Sequence, residues 1–205
     1  MQKKVILFGL IIAAAVVVYL VWNGSIGGKG KPADDKPMLV KTHSDAFNNS
    51  VDLAIDEYLL IKAAFVEADT TAVKAATLSF ISALDKLDLS ELDKDKKAVR
   101  ATAQASVSDI KANAESLMIQ NNITEMRKDF SMMTDMMYPS FFKSVNYEGQ
   151  VLYLQNCPMA FEGEKGANWL SAEAAIQNPY LGKKDPTYKS GMLKCGEIKD
   201  SIGFK

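Results

Sequence analysis

Residues 45–65 read DAFNNSVDLAIDEYLLIKAAF, and this stretch decides the predicted fold class. Its apolar residues recur every three or four positions, which is the period of one face of an α-helix. Ser44 or Asp45 offers a side-chain cap at the start, and the helix is expected to end near Ala68-Asp69. The buried face of this amphipathic helix is predicted to contain Phe47, Val51, Ala54, Tyr58, Ile61 and Phe65.

Three further segments show the same helical period. The second helix is expected to begin at Thr70 or Thr71, and the fourth to run from about Thr124 to about Pro139. A long third helix lies between them. Four amphipathic helices with short connections favour an antiparallel four-helix bundle over residues 41–145. The predicted fold class is therefore all-α.

Residues 146–205 have a different character, because glycine and proline interrupt them repeatedly. Residues 151–154 form a short apolar run of the kind found in β-strands. A segment of this size cannot bury a core alone. It is therefore predicted to be a loop-rich segment, with one short β element, that packs on the bundle.

The N-terminus carries a targeting signal. Lys3 and Lys4 precede an uncharged apolar run over residues 5–22, which is long enough to cross a bilayer. We predict an uncleaved anchor at residues 1–22, with a cleaved signal segment as the alternative. The two lysines favour a cytoplasmic N-terminus, which makes this a single-pass protein of the inner membrane with its bulk in the periplasm. Residues 23–40, rich in glycine, are predicted to be a flexible linker.

Charge and composition limit the function classes. The formal net charge of −1 gives no basic face for nucleic acid. The chain has a single histidine and no glycine-rich phosphate loop after a strand, so no catalytic constellation is recognisable. We therefore expect a protein that is not an enzyme.

Both cysteines lie in short sulfur-rich segments near the C-terminus. The first pairs Cys157 with Met159, and the second pairs Met192 with Cys195. Thiolate and thioether are soft ligands that favour Cu(I) or Ag(I), whereas zinc would require a fuller set of cysteine and histidine. Trp169 lies between the two segments and could cover one face of a bound monovalent cation.

A Cys157–Cys195 disulfide is the alternative to a metal site. Exported domains with two cysteines usually pair them. The bond would close a loop of about 39 residues and stabilise the fold by roughly 4 kcal/mol in the chain-entropy model. The residues alone leave both interpretations open.

A row of methionines on the fourth predicted helix is a second candidate site. Met126, Phe130, Met133 and Met137 follow the spacing of a helix seam, and methionine commonly fills irregular cores. We expect these residues to be core. A ligand cavity lined by Phe130, Met133 and Met137 is the weaker interpretation.

Four motifs follow one another in the C-terminal segment: CPMA at 157–160, KGANWLS at 165–171, IQNPYLG at 176–182 and MLKCG at 192–196. Together they resemble a family of exported bacterial domains of unknown function that also occur fused to periplasmic adaptor subunits of heavy-metal efflux pumps. The resemblance spans roughly residues 45–200. It implies a helical bundle and a role near copper or silver handling. Members often have a histidine where this chain has Asn156.

The leading prediction is a membrane-anchored periplasmic accessory domain that binds Cu(I) or Ag(I) for a metal-efflux adaptor or pump. Cys157, Met159, Met192 and Cys195 would be the ligands, and Trp169 would shield the ion. The turn formed by Asn178, Pro179 and Tyr180 would position the second sulfur pair. The alternative is an interaction module without metal, whose C-terminal segment is stapled by the Cys157–Cys195 disulfide.

Overall fold

A computed structural model describes Tyr19 and residues 42–95, 98–161 and 165–203. Apart from Tyr19, the predicted membrane anchor and linker lie outside the described residues. None of the helices within the described ranges is long and apolar enough to cross a membrane. Lys41–Lys205 form one compact unit, which contains both cysteines.

Four long helices form the N-terminal part of this unit, and three of them begin at a side-chain cap. The Ser44 hydroxyl accepts a hydrogen bond from the Phe47 amide, and the carboxylate of Asp69 accepts one from the amide of Ala72. Asn122 caps the fourth helix in the same way. Such caps satisfy backbone N–H groups that have no partner within the helix. The bounds are α1 Asp45–Val66, α2 Thr70–Asp85, α3 Ala98–Ile119 and α4 Ile123–Asp135.

Two short irregular segments interrupt the helical order. A 3₁₀ turn at Ser90–Lys94 connects α2 to α3, and an irregular turn at Met136–Phe141 follows α4 before the one-turn α5, Phe142–Ser144. The fourth helix therefore ends earlier than predicted. Tyr138 has extended dihedral angles (φ −129°, ψ 129°), because the ring of the following proline disfavours helical geometry at the residue before it.

The prediction of an all-α fold is wrong, because residues 152–202 contain a three-stranded antiparallel sheet. Its strands are β1 Leu152–Phe161, β2 Lys165–Ser171 and β3 Glu197–Ile202, in the order β2–β1–β3. The predicted short β element corresponds only to the start of β1. In place of an all-α bundle with a loop-rich appendage, the described residues combine four long helices with this sheet.

Tyr58 joins the sheet to the helices through a buried chain of hydrogen bonds. Its hydroxyl accepts a bond from the Leu170 amide (3.1 Å) and lies 2.7 Å from the Thr134 hydroxyl. Thr134 in turn donates to the carbonyl oxygen of Phe130 at 3.0 Å. Tyr58 must therefore donate to Thr134. Both hydroxyl groups in this series of hydrogen bonds then have a donor and an acceptor partner. Burial, the largest cause, raises the pKa of Tyr58 and keeps the hydroxyl protonated.

Tyrosine side chains also cover the outer edge of β2. The Leu170 amide bonds to Tyr58, and the carbonyl oxygen of Asn168 accepts a hydrogen bond from the Tyr180 hydroxyl. Exposed strand edges present unpaired backbone groups that favour pairing with other chains. The two hydroxyls occupy the place that a fourth strand would take.

The loop after Asn178 docks on the C-terminal end of α1. The Val66 carbonyl oxygen accepts a hydrogen bond from the Lys183 amide at 2.8 Å. A Cβ atom at Gly182 would lie 2.5 Å from the same oxygen, so only glycine permits this approach. The loop thus satisfies a carbonyl that the helix itself leaves without a partner.

Candidate functional site

The fold brings Cys157 and Cys195 together. Cys157 is fully buried on β1, opposite Ala167 of β2, and Cys195 is partly exposed two residues before β3. Their Sγ atoms lie 2.7 Å apart. This separation is well inside the contact distance of two unbonded sulfur atoms and about 0.7 Å longer than a disulfide bond.

Asn178 holds the segment that carries Cys195. Its side-chain amide donates to the Cys195 carbonyl oxygen at 3.0 Å, and its backbone amide donates to the Leu193 carbonyl oxygen at 2.8 Å. The side-chain oxygen accepts hydrogen bonds from the amides of Tyr180 and Leu181. Asn178 is fully buried and uses both ends of its side chain to join the two turns.

Gly196 allows the backbone after Cys195 to lie close to the sheet. Its φ of +143° lies in a region that favours glycine. A Cβ atom there would be 2.8 Å from both the Asn156 carbonyl oxygen and the Cη2 atom of Trp169. The glycine therefore lets the backbone that follows Cys195 lie against the edge of the Trp169 ring.

The remaining predicted site residues have different environments. Met159 is 37% exposed, whereas Met192 is partly buried and its carbonyl oxygen accepts a hydrogen bond from the Cys195 amide at 2.9 Å. Trp169 is fully buried, with its ring centroid 6.1 Å from that of Tyr180. Both sulfur-rich segments thus meet at Cys195, whose Sγ contacts the Cys157 thiol and the backbone of Met159.

Trp169 also has an unusual polar environment. Within the part of the chain that the structure describes, its indole N–H has no hydrogen-bond partner, and neither does the side-chain oxygen of Gln155, the residue opposite it on β1. Both residues are fully buried. Trp169 is therefore packed inside the sheet region rather than on its surface.

The environment of Cys195 favours the protonated thiol. Burial and then the neighbouring Cys157 thiol raise its pKa to about 11, from an ordinary value of 9.0. Because the thiolate is the form that binds metals and attacks disulfides, Cys195 is a weak nucleophile near neutral pH when it is reduced.

A preformed metal cluster is not evident around the thiols. Among the described residues, no group of three or more histidine, cysteine, aspartate or glutamate side chains is arranged to hold an ion. Two sulfurs bound to one ion at about 2.3 Å each would be about 3.8 Å apart in a tetrahedral site. The observed separation is shorter by about 1 Å.

The methionine seam of α4 and the turn after it belongs to the core. Met126, Met133 and Met137 are buried. A cavity that Met137 lines together with other described core residues has a volume of about 10 Å³, enough for at most one water molecule. The described residues therefore give no support to a ligand cavity along this seam.

No sequence pattern pointed to Arg127, which the fold buries at the junction of three segments. Its side chain donates to the carbonyl oxygen of Pro179 at 3.0 Å and to that of Phe65 at 3.3 Å. A lone arginine on a helix is normally solvated. Its burial depends on the loop at residues 178–183, which is distant in sequence, so periodicity could not reveal it.

Comparison with known proteins yields a family match for the helical part. Residues 54–148 match a family described as Protein of unknown function (DUF3347), which covers less than half of the chain. The matched range ends before β1. No curated protein and no solved structure matches the chain. A domain of unknown function is therefore confirmed, while the C-terminal motifs and their efflux association remain predictions.

Proposed function

We propose that the protein is an exported, membrane-anchored interaction module without a resident metal, whose C-terminal segment is closed by a Cys157–Cys195 disulfide. The observation that carries this proposal is that the fold brings two free thiols into contact, with their Sγ atoms 2.7 Å apart. The apolar run at residues 5–22 supports export, and exported proteins with two adjacent cysteines usually oxidise them.

A disulfide explains the burial around the pair better than a metal does. Cys157 is fully buried, and the raised pKa of Cys195 disfavours the thiolate that a metal needs. Oxidation removes both thiol protons and leaves no charge in the buried site. The resemblance of the C-terminal motifs supports an efflux adaptor or pump as the partner.

A count of free thiols tests the disulfide. The full chain is purified from membranes without reductant, denatured and treated with iodoacetamide before mass spectrometry. We expect no alkylated cysteine and a cross-linked peptide pair containing Cys157 and Cys195. Two alkylated cysteines in freshly prepared protein would contradict the proposal.

The pH dependence of Cys195 alkylation in the reduced protein tests whether the pKa of this thiol is raised. Because the pKa of Cys195 is about 11, its alkylation rate should rise about tenfold per pH unit through pH 10. A thiol with the ordinary pKa would level off near pH 9. Rates are read from stopped samples of the Cys157→Ala variant, where Cys195 is the sole thiol. Burial is the largest cause of the raised pKa and Cys157 supplies the next two, so the midpoint in this variant should lie below 11 but above that of an ordinary thiol.

Cu(I) or Ag(I) binding by the reduced protein is the second candidate function. It is favoured by the meeting of both sulfur-rich segments at Cys195, with Met192 in the same turn. Cys157, Met159, Met192 and Cys195 would supply the ligands after the thiols move apart. The C-terminal motifs, with their resemblance to efflux-associated domains, support the same class of ion.

A competition titration separates the two candidates. Cu(I) is titrated against a chelator with the oxidised chain, the reduced chain and the Cys157→Ser/Cys195→Ser variant. Metal handling predicts that only the reduced wild-type chain competes, at least tenfold better than the variant. Equal competition by all three samples would contradict metal handling and would favour the interaction module without metal.

A further inference from the structure

A groove of about 500 Å³ lies between the start of α4 and the loop that follows Tyr180. This volume is in the range of small-molecule sites. Buried parts of Arg127, Tyr180 and Asp185 line it, and Phe161 and the exposed Tyr188 contribute aromatic walls. The groove is separate from the two cysteines, neither of which lines it.

Arg127 is a largely buried cation in the wall of this groove. It is only 7% exposed. A guanidinium group has five N–H donors, and two of those of Arg127 bond to the carbonyl oxygens of Phe65 and Pro179. Among residues 42–95, 98–161 and 165–203, Arg127 forms no contact ion pair, and none of its nitrogens is enclosed without a partner.

The neighbouring carboxylate does not neutralise Arg127 by contact. One oxygen of Asp185 accepts hydrogen bonds from the amides of Thr187 and Tyr188, and this bonding shapes the loop. Burial lowers the pKa of Arg127, and the more distant charge of Asp185 only partly offsets that effect. A largely buried charge without a contact ion pair is costly, so an anion that reached Arg127 through the groove would gain from pairing with it.

Two other features favour an anion with an apolar body. Ile123 and Thr124, in the first turn of α4, line the groove, and the N-terminal end of a helix carries a partial positive charge. The opposite wall contains Leu181, Pro186 and the Tyr188 ring. Such walls suit apolar groups better than a fully hydrated anion.

We propose that this groove binds a small organic carboxylate whose charged group accepts hydrogen bonds from Arg127 and whose apolar body packs on Tyr188. Planar arginine and carboxylate groups match in a two-point geometry. This site would supply the ligand of the interaction module proposed above, but it does not depend on the disulfide.

Isothermal titration of the full chain in detergent tests the site with defined probes. Phenylacetate is compared with its neutral analogue phenylacetamide, with inorganic phosphate, and with acetyl-Gly-Phe, which carries the carboxylate at a peptide end. We expect phenylacetate to bind at least tenfold more tightly than the amide and phosphate. Tighter binding of acetyl-Gly-Phe would identify a peptide C-terminus as the source of the carboxylate. Equal binding of the amide, or no binding of either carboxylate, would overturn the proposal.

Two variants localise the binding. Tyr188→Ala removes a side chain that is 43% exposed, so the fold should survive while affinity falls about tenfold. Leu78→Ala, at an exposed position on α2 outside the groove, is the matched control and should leave affinity unchanged. Unchanged affinity in Tyr188→Ala would overturn the proposal.

Arg127→Lys tests the charged contact. It keeps the positive charge but loses the planar donor pair, so the affinity for phenylacetate should fall at least tenfold. Circular dichroism confirms that the variant folds. A free-thiol count on the same protein sample shows whether the disulfide has formed. A loss of phenylacetate binding can then be distinguished from a failure of the disulfide proposal.

Discussion

The helical part, residues 42–145, and the sheet segment, residues 146–203, are specified in different ways. In the helical part the apolar side chains recur along the local sequence, and α1, α2 and α4 begin at caps a few residues away. In the sheet segment Leu152 pairs with Ile202, at the opposite end of the segment. The structure of the helical part is therefore specified by local sequence, whereas the sheet depends on pairing between strands that are distant in sequence.

The strand β3 shows how little one part of the sheet segment depends on buried apolar side chains. The strand β3 reads EIKDSI and is mostly exposed, yet it pairs along β1. It stays in place through backbone pairing and through the turn that Asn178 and Cys195 anchor. The sheet segment thus relies on a few specific contacts. These contacts can be removed one at a time, from the largest expected effect to the smallest.

Phe130→Ala should have the largest effect, because this ring belongs to both parts. It is fully buried, with ring centroids 5.1 Å from Tyr58, 5.0 Å from Phe65 and 5.9 Å from Tyr180. We expect the free energy of unfolding to fall by about 3–5 kcal/mol in urea titrations of the full chain. Leu78→Ala, on the surface of α2, should change it by less than about 0.5 kcal/mol.

The same experiment tests whether the two parts unfold together. Circular dichroism at 222 nm follows the helices, and tryptophan fluorescence follows Trp169 in the sheet, with Trp22 replaced by Phe in every sample. Coincident transitions are expected for one cooperative unit. Separate transitions would mean that the helical part is stable without the sheet.

Cys157→Ala/Cys195→Ala should weaken the sheet segment selectively. Loss of a disulfide that closes this loop is expected to lower stability by about 2–4 kcal/mol. Hydrogen exchange should accelerate most in β3 and in the turn around Asn178, and least in α2. Adding reductant to the wild-type chain should remove the difference. A variant as stable as the unreduced wild type would argue against the disulfide.

Tyr58→Phe removes the hydroxyl that joins the parts while keeping the ring. The amide of Leu170 then lacks its partner, so we expect a loss of about 1–3 kcal/mol in urea unfolding. Tyr188→Phe is the matched control, because its ring is largely exposed, and should be neutral. An equal effect of the two substitutions would show that the hydroxyl chain contributes nothing.

Asp69→Ala should have the smallest effect, since it removes only the cap of α2. Its carboxylate accepts the Ala72 amide at 2.9 Å. A loss of about 1 kcal/mol is expected, and Asp69→Asn should restore most of it because asparagine is an equally good cap. Thermal unfolding monitored at 222 nm measures both. A similar loss in both variants would assign the effect to the charge rather than to the cap.

The sequence allowed the four helices to be predicted, but it did not reveal the sheet. Phe47, Val51 and Tyr58 show helical spacing, and they are buried as that spacing predicts. In β2, by contrast, Trp169 and Leu170 are adjacent and both buried, so the alternation that marks a strand is lost. The sheet could not be predicted because its pairing, unlike helical periodicity, is not local.

The geometry of the candidate site could not be predicted from local sequence either. Composition alone singled out Cys157 and Cys195, because they are the only two cysteines. Whether they would lie together could not be decided, since 37 residues separate them and the turn that carries Cys195 is held by a hydrogen bond from the distant Asn178. Arg127 gave no signal at all, because its burial arises from the carbonyl groups of two distant segments.

The docking of the Gly182 loop on α1 bears on where this module can be cut or exchanged. The family match ends at residue 148, but the carbonyl oxygen of Val66 at the end of α1 accepts its hydrogen bond from the amide of Lys183, which lies beyond that range. A fragment trimmed to the matched range would also lose the strand that bonds to Tyr58. Transplanting this domain into another protein therefore requires everything up to β3. In this chain the compact folded unit, Lys41–Lys205, is longer than the range that the family match covers.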